Sequence, residues 1–441
     1  MCIMMVILFT ACNSLSADEN NSGDNGSGNH DSGGTKVMEV VEIEGKELLA
    51  PAYDKPDPAA GAVANGANDF AFSLSAKLVK NAGDENFVFS PFSVWLPLAA
   101  LLNATDEQNK PALLDALSAS GLSGADVNNA ASRMLYNLTK QQYKENEDFY
   151  DPLQIANAIF VGDNVTLKKE FAQTFMDYFR GTAINVDFSS QDAVDAVNRW
   201  AGDNTEGLIT DIVSEFDPLT VSAIANAIYF SDRWVWEFDP AQTQEDVFHS
   251  PSGDVNAHFM LREGDGLAYY EDDKVQAMPL RFKSGGGLLI LLPKSGSAAD
   301  LLSSMTNEYL NEISENAIQS SGKLLMPRFY IDNSIDGLKE ALEALEVPLF
   351  DENAAPLTGG LIEENIPVFV SDVMQKAMIE VDEKGTTAAA VTVMSVSATG
   401  MPMPTEPFEM ICDKPFVFIL YDWTFDGGNQ VLFTGVVNQP Q

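Results

Sequence analysis

The sequence predicts an α+β fold in which helices pack on large mixed β-sheets. Helical patterns dominate the first third of the 441-residue chain, whereas strand-like runs appear later. Because the two kinds of segment are grouped instead of alternating strictly, they favour this fold over a doubly wound parallel sheet. With 45% apolar residues the chain can bury a substantial core, and its length alone fits one large domain or two ordinary ones.

The first clear helix lies in the run DFAFSLSAKLVKNAG. Phe70, Leu74 and Leu78 recur at helical spacing, and Asn81 with Gly83 marks the end of the helix. Four later runs predict strands, because they are short and largely apolar. These runs are GLLILLP (287–293), KLLMPRFYI (323–331), FVFILY (416–421) and VLFTGVV (431–437).

The chain divides into a leader, a tether and one domain. Residues 13–66 are predicted to form a flexible polar tether, whose first part consists almost entirely of Ser, Gly, Asn and Asp. No comparable linker follows, so residues 67–441 are predicted to form a single domain.

The first 12 residues resemble a secretory signal peptide. The block MCIMMVILFTAC is apolar, is too short to span a bilayer as a helix, and ends in small residues before a cysteine. Phe9-Thr10-Ala11-Cys12 resembles a bacterial lipobox, in which the cysteine is acylated and becomes the first mature residue. We therefore expect an extracytoplasmic protein, secreted or anchored to the bacterial cell envelope through Cys12.

Charge and cysteine content exclude several classes of function. Sixty-five acidic residues against 25 basic ones give a formal charge of −40, which disfavours binding to nucleic acid or to anionic membranes. A membrane contact is therefore expected only through the lipid anchor. Cys412 has no disulfide partner in the mature chain and is predicted to pack in the core.

No catalytic or metal site is predicted. The motif HDSGG (30–34) superficially resembles a protease nucleophile motif, but a flexible tether cannot hold a nucleophile beside its base. His249 and His258 lack companions at metal-ligand spacing. We expect no cofactor.

An uncharged, proline-free run extends from Gly385 to Met401 in an otherwise acidic chain. A central β-strand excludes proline, which cannot donate to the ladder, and disfavours charge on buried faces. Alternation would place Thr386, Ala388, Ala390, Thr392, Met394 and Val396 on one face. An ordinary strand already paired in the folded state is the alternative, although three consecutive alanines make it less favourable.

Six motifs in order resemble those of the serpins, serine protease inhibitors that act by conformational trapping. The motifs are NFVFSPFSV (86–94), VNRWAGDNTEGLI (197–209), ANAIYFSDRWVWEF (225–238), MPRF (326–329), IEVDEKGTTAAAVT (379–392) and DKPFVFIL (413–420). The resemblance implies a serpin fold, an exposed reactive-centre loop at about residues 383–410, and insertion of that loop into the main sheet after cleavage.

The resemblance also assigns roles to individual residues. It implies a hinge formed by Glu383, Gly385, Thr386, Thr387, Ala388, Ala389 and Ala390. It implies a shutter, a cluster of polar residues beneath the part of the sheet that opens, formed by Ser90, Ser93, Asn226 and Gln375. It also implies a breach, the place where insertion begins, at Trp234. Gln375 replaces the usual histidine of the shutter and cannot titrate.

Family spacing places the cleaved bond at Thr399-Gly400, with Ala398 and Met401 as neighbouring candidates. No basic residue lies in this loop after Lys384, from Gly385 to Met401. A trypsin-like target is disfavoured because its pocket carboxylate would be left unpaired, so elastase-like or subtilisin-like proteases are expected.

The sequence therefore predicts a monomeric inhibitor and not an enzyme. Its expected partners are serine proteases, with cysteine proteases as a second class, which it would trap irreversibly as a suicide substrate. The alternative is a non-inhibitory serpin that acts as a binding or storage protein.

Overall fold

The structure is a computed structural model, which describes residues 1–11, 56–139, 143–145, 148–150, 152–386, 407–424, 426 and 428–440. Cys12, most of the predicted tether, the hinge residues Thr387 to Ala390 and the candidate bonds from Ala398 to Met401 lie outside the described residues.

The helices of the described chain are concentrated in its first half, as the sequence predicts. They are α1 (Pro58–Ala82), α2 (Pro91–Leu101), α3 (Lys110–Ala116), α4 (Gly124–Thr139), α5 (Lys169–Phe179), α6 (Gln191–Asp203), α7 (Ala298–Ser303), α8 (Asn307–Asn316) and α9 (Leu338–Glu343).

The strands include one at the very start of the chain. They are β1 (Cys2–Ala11), β2 (Phe87–Phe89), β3 (Tyr143–Glu145), β4 (Asp148–Tyr150), β5 (Leu153–Gly162), β6 (Gly181–Val186), β7 (Thr220–Phe230), β8 (Gln244–Ser250), β9 (Gly253–Glu271), β10 (Val275–Arg281), β11 (Gly287–Pro293), β12 (Ile318–Pro327), β13 (Phe329–Ser334), β14 (Val368–Val381), β15 (Phe408–Ile411), β16 (Phe416–Thr424) and β17 (Gly428–Val437).

A six-stranded sheet has the order β13-β14-β1-β7-β5-β6. The N-terminal strand β1 lies in the middle of this sheet and is antiparallel to both of its neighbours, β7 and β14. Strands β7 and β14 consequently run parallel to one another, with one strand position between them. We call this position the slot.

A second, nine-stranded sheet follows the path β15-β12-β9-β10-β11-β16-β17-β2, and β8 pairs with β9. Apolar side chains from both large sheets and from α1 and α2 form the main core. Helix α6 covers the other face of the six-stranded sheet and forms a smaller core there with residues of β1, β5 and β7. Helices grouped on mixed sheets confirm the predicted α+β class.

One predicted strand proves to be two. The run KLLMPRFYI divides at Arg328, so that β12 ends in the nine-stranded sheet and β13 begins in the six-stranded sheet. Both halves are apolar, and periodicity alone does not show that the chain changes sheets between them.

The folded domain begins earlier than residue 67, the predicted boundary. The carboxylate of Asp57 caps α1 by accepting from the backbone N–H groups of Ala59 and Ala60, at 3.0 and 3.4 Å. The glycines that look like linker residues lie in close contacts instead, since a Cβ on Gly66 would come within 2.2 Å of the carbonyl oxygen of Ser118. Residues 58–66 are therefore helical and do not belong to the tether.

Asp426 lies between β16 and β17 and connects this part of the chain to two distant segments, α4 and the start of α1. Its carboxylate accepts two hydrogen bonds from the Arg133 guanidinium of α4, at 2.6 and 2.8 Å. It also accepts from the backbone N–H of Asp57 at the start of α1, at 2.9 Å. Both charged side chains are almost fully buried, so this bidentate pair is shielded from water.

Asp422, on β16, is a second buried carboxylate, with only 2% of its surface exposed. Its Oδ1 accepts from the backbone N–H of Trp423 at 2.7 Å. Burial raises the pKa of Asp422 to about 7, and the negative charge of Asp232 adds to the rise. The Asp422 carboxyl therefore ionises near neutral pH, although its buried environment disfavours the charged form.

Replacing Asp426→Ala should lower the free energy of unfolding by about 3–5 kcal/mol, because it removes one partner of a buried ion pair. Urea denaturation at pH 7 measures the loss. Glu107→Ala is the matched control, since it breaks the solvent-exposed pair with Lys110 and should change stability by less than about 0.5 kcal/mol. Equal effects of the two substitutions would contradict the role given to Asp426.

Replacing Asp422→Asn should stabilise the protein above pH 7. Because folding raises the pKa of this carboxyl, its contribution to stability is complete at low pH and is lost as the pH rises through about 7. The amide cannot ionise and keeps an acceptor for Trp423, so at pH 8 the variant should gain about 4 kcal/mol over the wild type, with little gain at pH 4.

The control is Asp372→Asn. The exposed Asp372 accepts from the backbone N–H of Val373 at 2.8 Å, which is the same local hydrogen bond without burial. Urea denaturation across this pH range should show no comparable gain for the control, and a pH-independent effect of Asp422→Asn would refute the assignment.

Candidate functional site: the slot and the hinge above it

The slot is filled along its length by β1. Cys2 lies opposite Tyr229 of β7 and Met378 of β14, and the pairing continues to Thr10 on one side and Ala11 on the other. The predicted leader is thus a central strand of the sheet in the unprocessed chain. Processing at Cys12 stays a prediction, because that residue lies outside the described part of the chain.

Ser90, at the start of α2, organises the polar cluster beneath the slot. Its backbone N–H donates to Oε1 of Gln375 at 3.1 Å, and Nε2 of Gln375 donates back to the Ser90 carbonyl at 2.9 Å. The hydroxyl of Ser90 donates to the Leu432 carbonyl at 2.7 Å and accepts from the backbone N–H of Ser93. The structure therefore brings Ser90, Ser93 and Gln375 together.

Asn226 lies on the other side of the slot from this cluster. Met5 of β1 stands directly between Asn226 and Gln375, as the Cα partner of both. Asn226 donates through Nδ2 to Oδ1 of Asn157 at 2.9 Å, while its own Oδ1 is buried without a hydrogen-bond partner among the described residues. An unsatisfied buried acceptor costs about 1–3 kcal/mol, so this arrangement of the polar residues is not their optimum.

Trp234 closes the upper end of the slot, next to the hinge. Its indole N–H donates to the Asp382 carbonyl at 2.9 Å, and its backbone N–H donates to the Lys384 carbonyl at 2.9 Å. The indole is fully buried and stacks on Phe282 with ring centroids 4.5 Å apart. These contacts fix the chain where it leaves β14.

Gly385 makes the closest backbone approach at the hinge. It forms an antiparallel bridge with Arg233, and a Cβ on Gly385 would lie 2.0 Å from the Asp232 carbonyl oxygen. Its φ of +155° also lies in a region that favours glycine. No other residue fits this position without moving the backbone.

Thr386 is the last hinge residue that the structure describes. Its backbone N–H donates to the Asp232 carbonyl at 3.0 Å, and its hydroxyl accepts from the Asp232 N–H at 3.2 Å. The side chain is buried. The hinge is therefore already in strand-like contact with the residues just beyond β7.

Glu383 ties the hinge to the neighbouring sheet. The Arg328 guanidinium donates to its carboxylate through Nε at 2.8 Å and through a second, shorter contact, and the Thr243 hydroxyl also donates. Burial raises the pKa of Glu383, but these hydrogen bonds outweigh it and hold the pKa below its usual value. The carboxylate is thus charged at neutral pH and anchors the turn between β14 and the loop.

Sequence reasoning did not identify Arg328, Thr243 or Asp232 as site residues. Arg328 lies in the family motif MPRF and Asp232 in SDRW, and these motifs could have pointed to both residues as part of the site. Nothing local distinguishes Thr243, because it meets Glu383 only through the tertiary fold, 140 positions along the chain.

The described residues hold no other site of obvious chemistry. Among them there is no group of three or more His, Cys, Asp or Glu side chains that could bind a metal ion. No helix within the described ranges is long and apolar enough to cross a membrane. Cys412 is a free, fully buried thiol, as expected, and burial raises its pKa.

Comparison with known proteins agrees with this geometry. A curated relative, an uncharacterized serpin-like protein of Thermococcus kodakarensis, is 29% identical over 399 residues, covering 90% of this chain and 88% of the relative. Alpha-1-antitrypsin 1-4 of Mus musculus is 28% identical over 389 residues, covering 87% and 90%.

Solved structures share the fold. Serpin48 of the insect Tenebrio molitor, described as a highly specific serpin, has a TM-score of 0.72 and 26% identity, covering 86% of this chain and 98% of its own. Human thyroxine-binding globulin, solved in complex with thyroxine, has a TM-score of 0.73 at 22% identity, covering 87% and 100%, which is a likeness of fold. The family model described as serpin (serine protease inhibitor) matches residues 65–440. The chain therefore belongs to the serpin family.

Proposed function

We propose that the mature protein is an irreversible suicide-substrate inhibitor of serine endopeptidases, with cysteine endopeptidases as a second class. The observation that carries the proposal is the slot between β7 and β14, which accepts one antiparallel strand and lies directly below the hinge. The family description is that of a protease inhibitor and not of an enzyme.

The hinge fixes how the loop would enter. Gly385 is paired with Arg233, so continuing the same antiparallel register brings Ala388 opposite Phe230 and Thr392 opposite Asn226. The side chain of Thr386 is buried, and alternation gives Ala388, Ala390 and Thr392 the same face. Small residues on this face suit entry into a packed sheet.

Trapping would then follow from the length of the inserted strand. The protease nucleophile attacks the bait bond and forms an acyl-enzyme with the new carboxyl end of the loop. Insertion of about 15 residues at about 3.3 Å each moves the attached protease by on the order of 50 Å. Distortion of the enzyme against the inhibitor halts deacylation, because catalysis depends on geometry held within fractions of an ångström.

The loop sequence favours proteases with small or shallow apolar pockets. Thr399-Gly400 is the proposed bond, with Ala398 and Met401 as neighbours, and no basic side chain is available for a trypsin-like pocket. We therefore propose elastase-like or subtilisin-like targets, engaged by a monomer.

We further propose that the protein is exported as a bacterial lipoprotein. The support is the apolar block that ends at Cys12 and the polar run that follows it. A strongly acidic mature chain would stay clear of the anionic membrane surface on the end of this tether.

The mechanism is tested by Ala390→Arg in the exported, processed protein. In the register given by the hinge, Ala390 lies opposite the buried Ile228, so an arginine there would place a charge in the core and block insertion. The variant should be cut at about Thr399-Gly400 and released, forming at least about 100-fold less covalent complex than the wild type.

Ala390→Ser is the matched control and should trap proteases nearly as well as the wild type. Complex formation is read on denaturing gels with elastase-like and subtilisin-like enzymes, and mass spectrometry of the released C-terminal peptide locates the bond. Absence of any denaturant-resistant complex with the processed wild type would favour the alternative, a non-inhibitory serpin that serves as a binding or storage protein.

Localisation is tested by Cys12→Ser in a bacterial host that exports and acylates lipoproteins. The substitution removes the thiol that would carry the lipid, so the protein should move from the membrane fraction to the soluble fraction, as read by fractionation and intact-mass measurement. Unchanged membrane association would rule out the lipid anchor at this residue.

A further inference from the structure

We propose that the N-terminal strand β1 is a removable plug of the slot, which keeps the unprocessed chain from trapping proteases until the leader is cut off. The effect on trapping rests on the inhibitor function proposed above. The occupancy of the slot by residues 1–11 does not depend on that function and is measured independently by hydrogen exchange.

The plug satisfies both open edges of the slot. From Cys2 to Thr10, β1 is paired with β7 on one side and with β14 on the other, with one register shift on each side near Phe9. At its upper end, the N-terminal amine of Met1 donates to the Phe230 carbonyl at 2.7 Å. A strand bonded along both edges leaves no backbone groups for a second occupant.

Its side chains fit the layers above and below the sheet. Met5 and Ile7 pack in the main core, whereas Met4, Val6 and Leu8 pack in the smaller core beneath α6. All five are buried. The apolar leader therefore completes both cores at once.

The plug and the loop need the same positions. Continuing the register of the Gly385–Arg233 bridge places Thr392 where Met5 lies, opposite Asn226, and Ser395 where Leu8 lies, opposite Ala223. The two segments cannot occupy these positions together, because each position offers one set of ladder hydrogen bonds.

The plug has the more apolar side chains at these shared positions. Where the loop would place Thr392, Ser395 and Val391, β1 places Met5, Leu8 and Met4 respectively. The strand β1 therefore buries more hydrocarbon than the loop would. It is also held on the same chain, which keeps its effective concentration high. While it stays attached, the loop does not displace it.

Processing would remove this block. A leader peptidase hydrolyses the Ala11–Cys12 peptide bond; water supplies the hydroxyl of the new Ala11 carboxyl group and a proton for the new Cys12 amine. Residues 1–11 are then no longer covalently attached, so their effective concentration falls and the released peptide can leave the slot to the reactive loop. The inhibitor would thus become active only after export.

The experiment compares the unprocessed full chain, made without export, with its Ile7→Asp variant and the control Ile7→Val. Ile7 is fully buried between Ile224 and Val373, so a carboxylate there has no polar partner on either neighbouring strand position. Hydrogen exchange read by mass spectrometry reports on residues 2–11, and denaturing gels report on trapping of an elastase-like protease.

In the wild type and in Ile7→Val, the amides of residues 2–11 should exchange at least about 100-fold more slowly than those of the tether, and little complex should form. In Ile7→Asp this protection should be lost, and complex should form about 100-fold faster or more, approaching the rate of the processed protein.

Rapid exchange of residues 2–11 in the unprocessed wild type would overturn the plug, and so would trapping by that chain at the rate of the processed protein. If neither the processed protein nor Ile7→Asp traps any protease, the inhibitor function is wrong, and protection of residues 2–11 alone decides whether the leader fills the slot.

Discussion

The structure depends on one constraint, which is that β7 and β14 run parallel with a single strand position between them. Each presents a row of backbone N–H and C=O groups to this position, and buried backbone groups must find partners. One antiparallel strand satisfies both rows. In the structure β1 fills the position. Under the inhibitor mechanism proposed above, the cleaved loop would fill it instead.

The hinge gives this choice a defined geometry. Gly385 reaches the Asp232 carbonyl more closely than any residue with a side chain could, and Trp234 holds the preceding turn through two hydrogen bonds. Glu383, held by Arg328, anchors the same turn to the nine-stranded sheet. Under the proposed mechanism, the register of an inserted loop would be set before the loop is cut, because Gly385 and Thr386 are already paired with residues 232–233.

The polar residues around the slot are suited to more than one arrangement. Gln375 both donates to and accepts from Ser90, so it can hold the cluster without a change of protonation. Asn226, separated from that cluster by Met5, keeps an acceptor that is not used in the present arrangement. Under the proposed mechanism, replacing β1 by the loop would change the residue between Asn226 and Gln375 and so the partners open to this acceptor.

The sequence alone determined the features that depend on local chemistry. Periodicity located the first helix, β11 and the strands of the C-terminal hairpin, and the absence of charge and proline marked the run that is predicted to be the reactive loop. Six ordered motifs determined the family. These signals are readable because side-chain period and turn residues act over a few neighbouring positions.

Only the tertiary structure decided which distant segments meet. An apolar run of ten residues has the same composition in a signal peptide and in a buried strand, so the place of β1 between β7 and β14 could not be read from residues 1–12. The small residues of 58–66 look like a linker until Ser118 packs against Gly66, and the low pKa of Glu383 needs Arg328, which lies 55 positions away. Such contacts depend on how strands are ordered in a sheet, and that order is fixed by the packing of the whole chain.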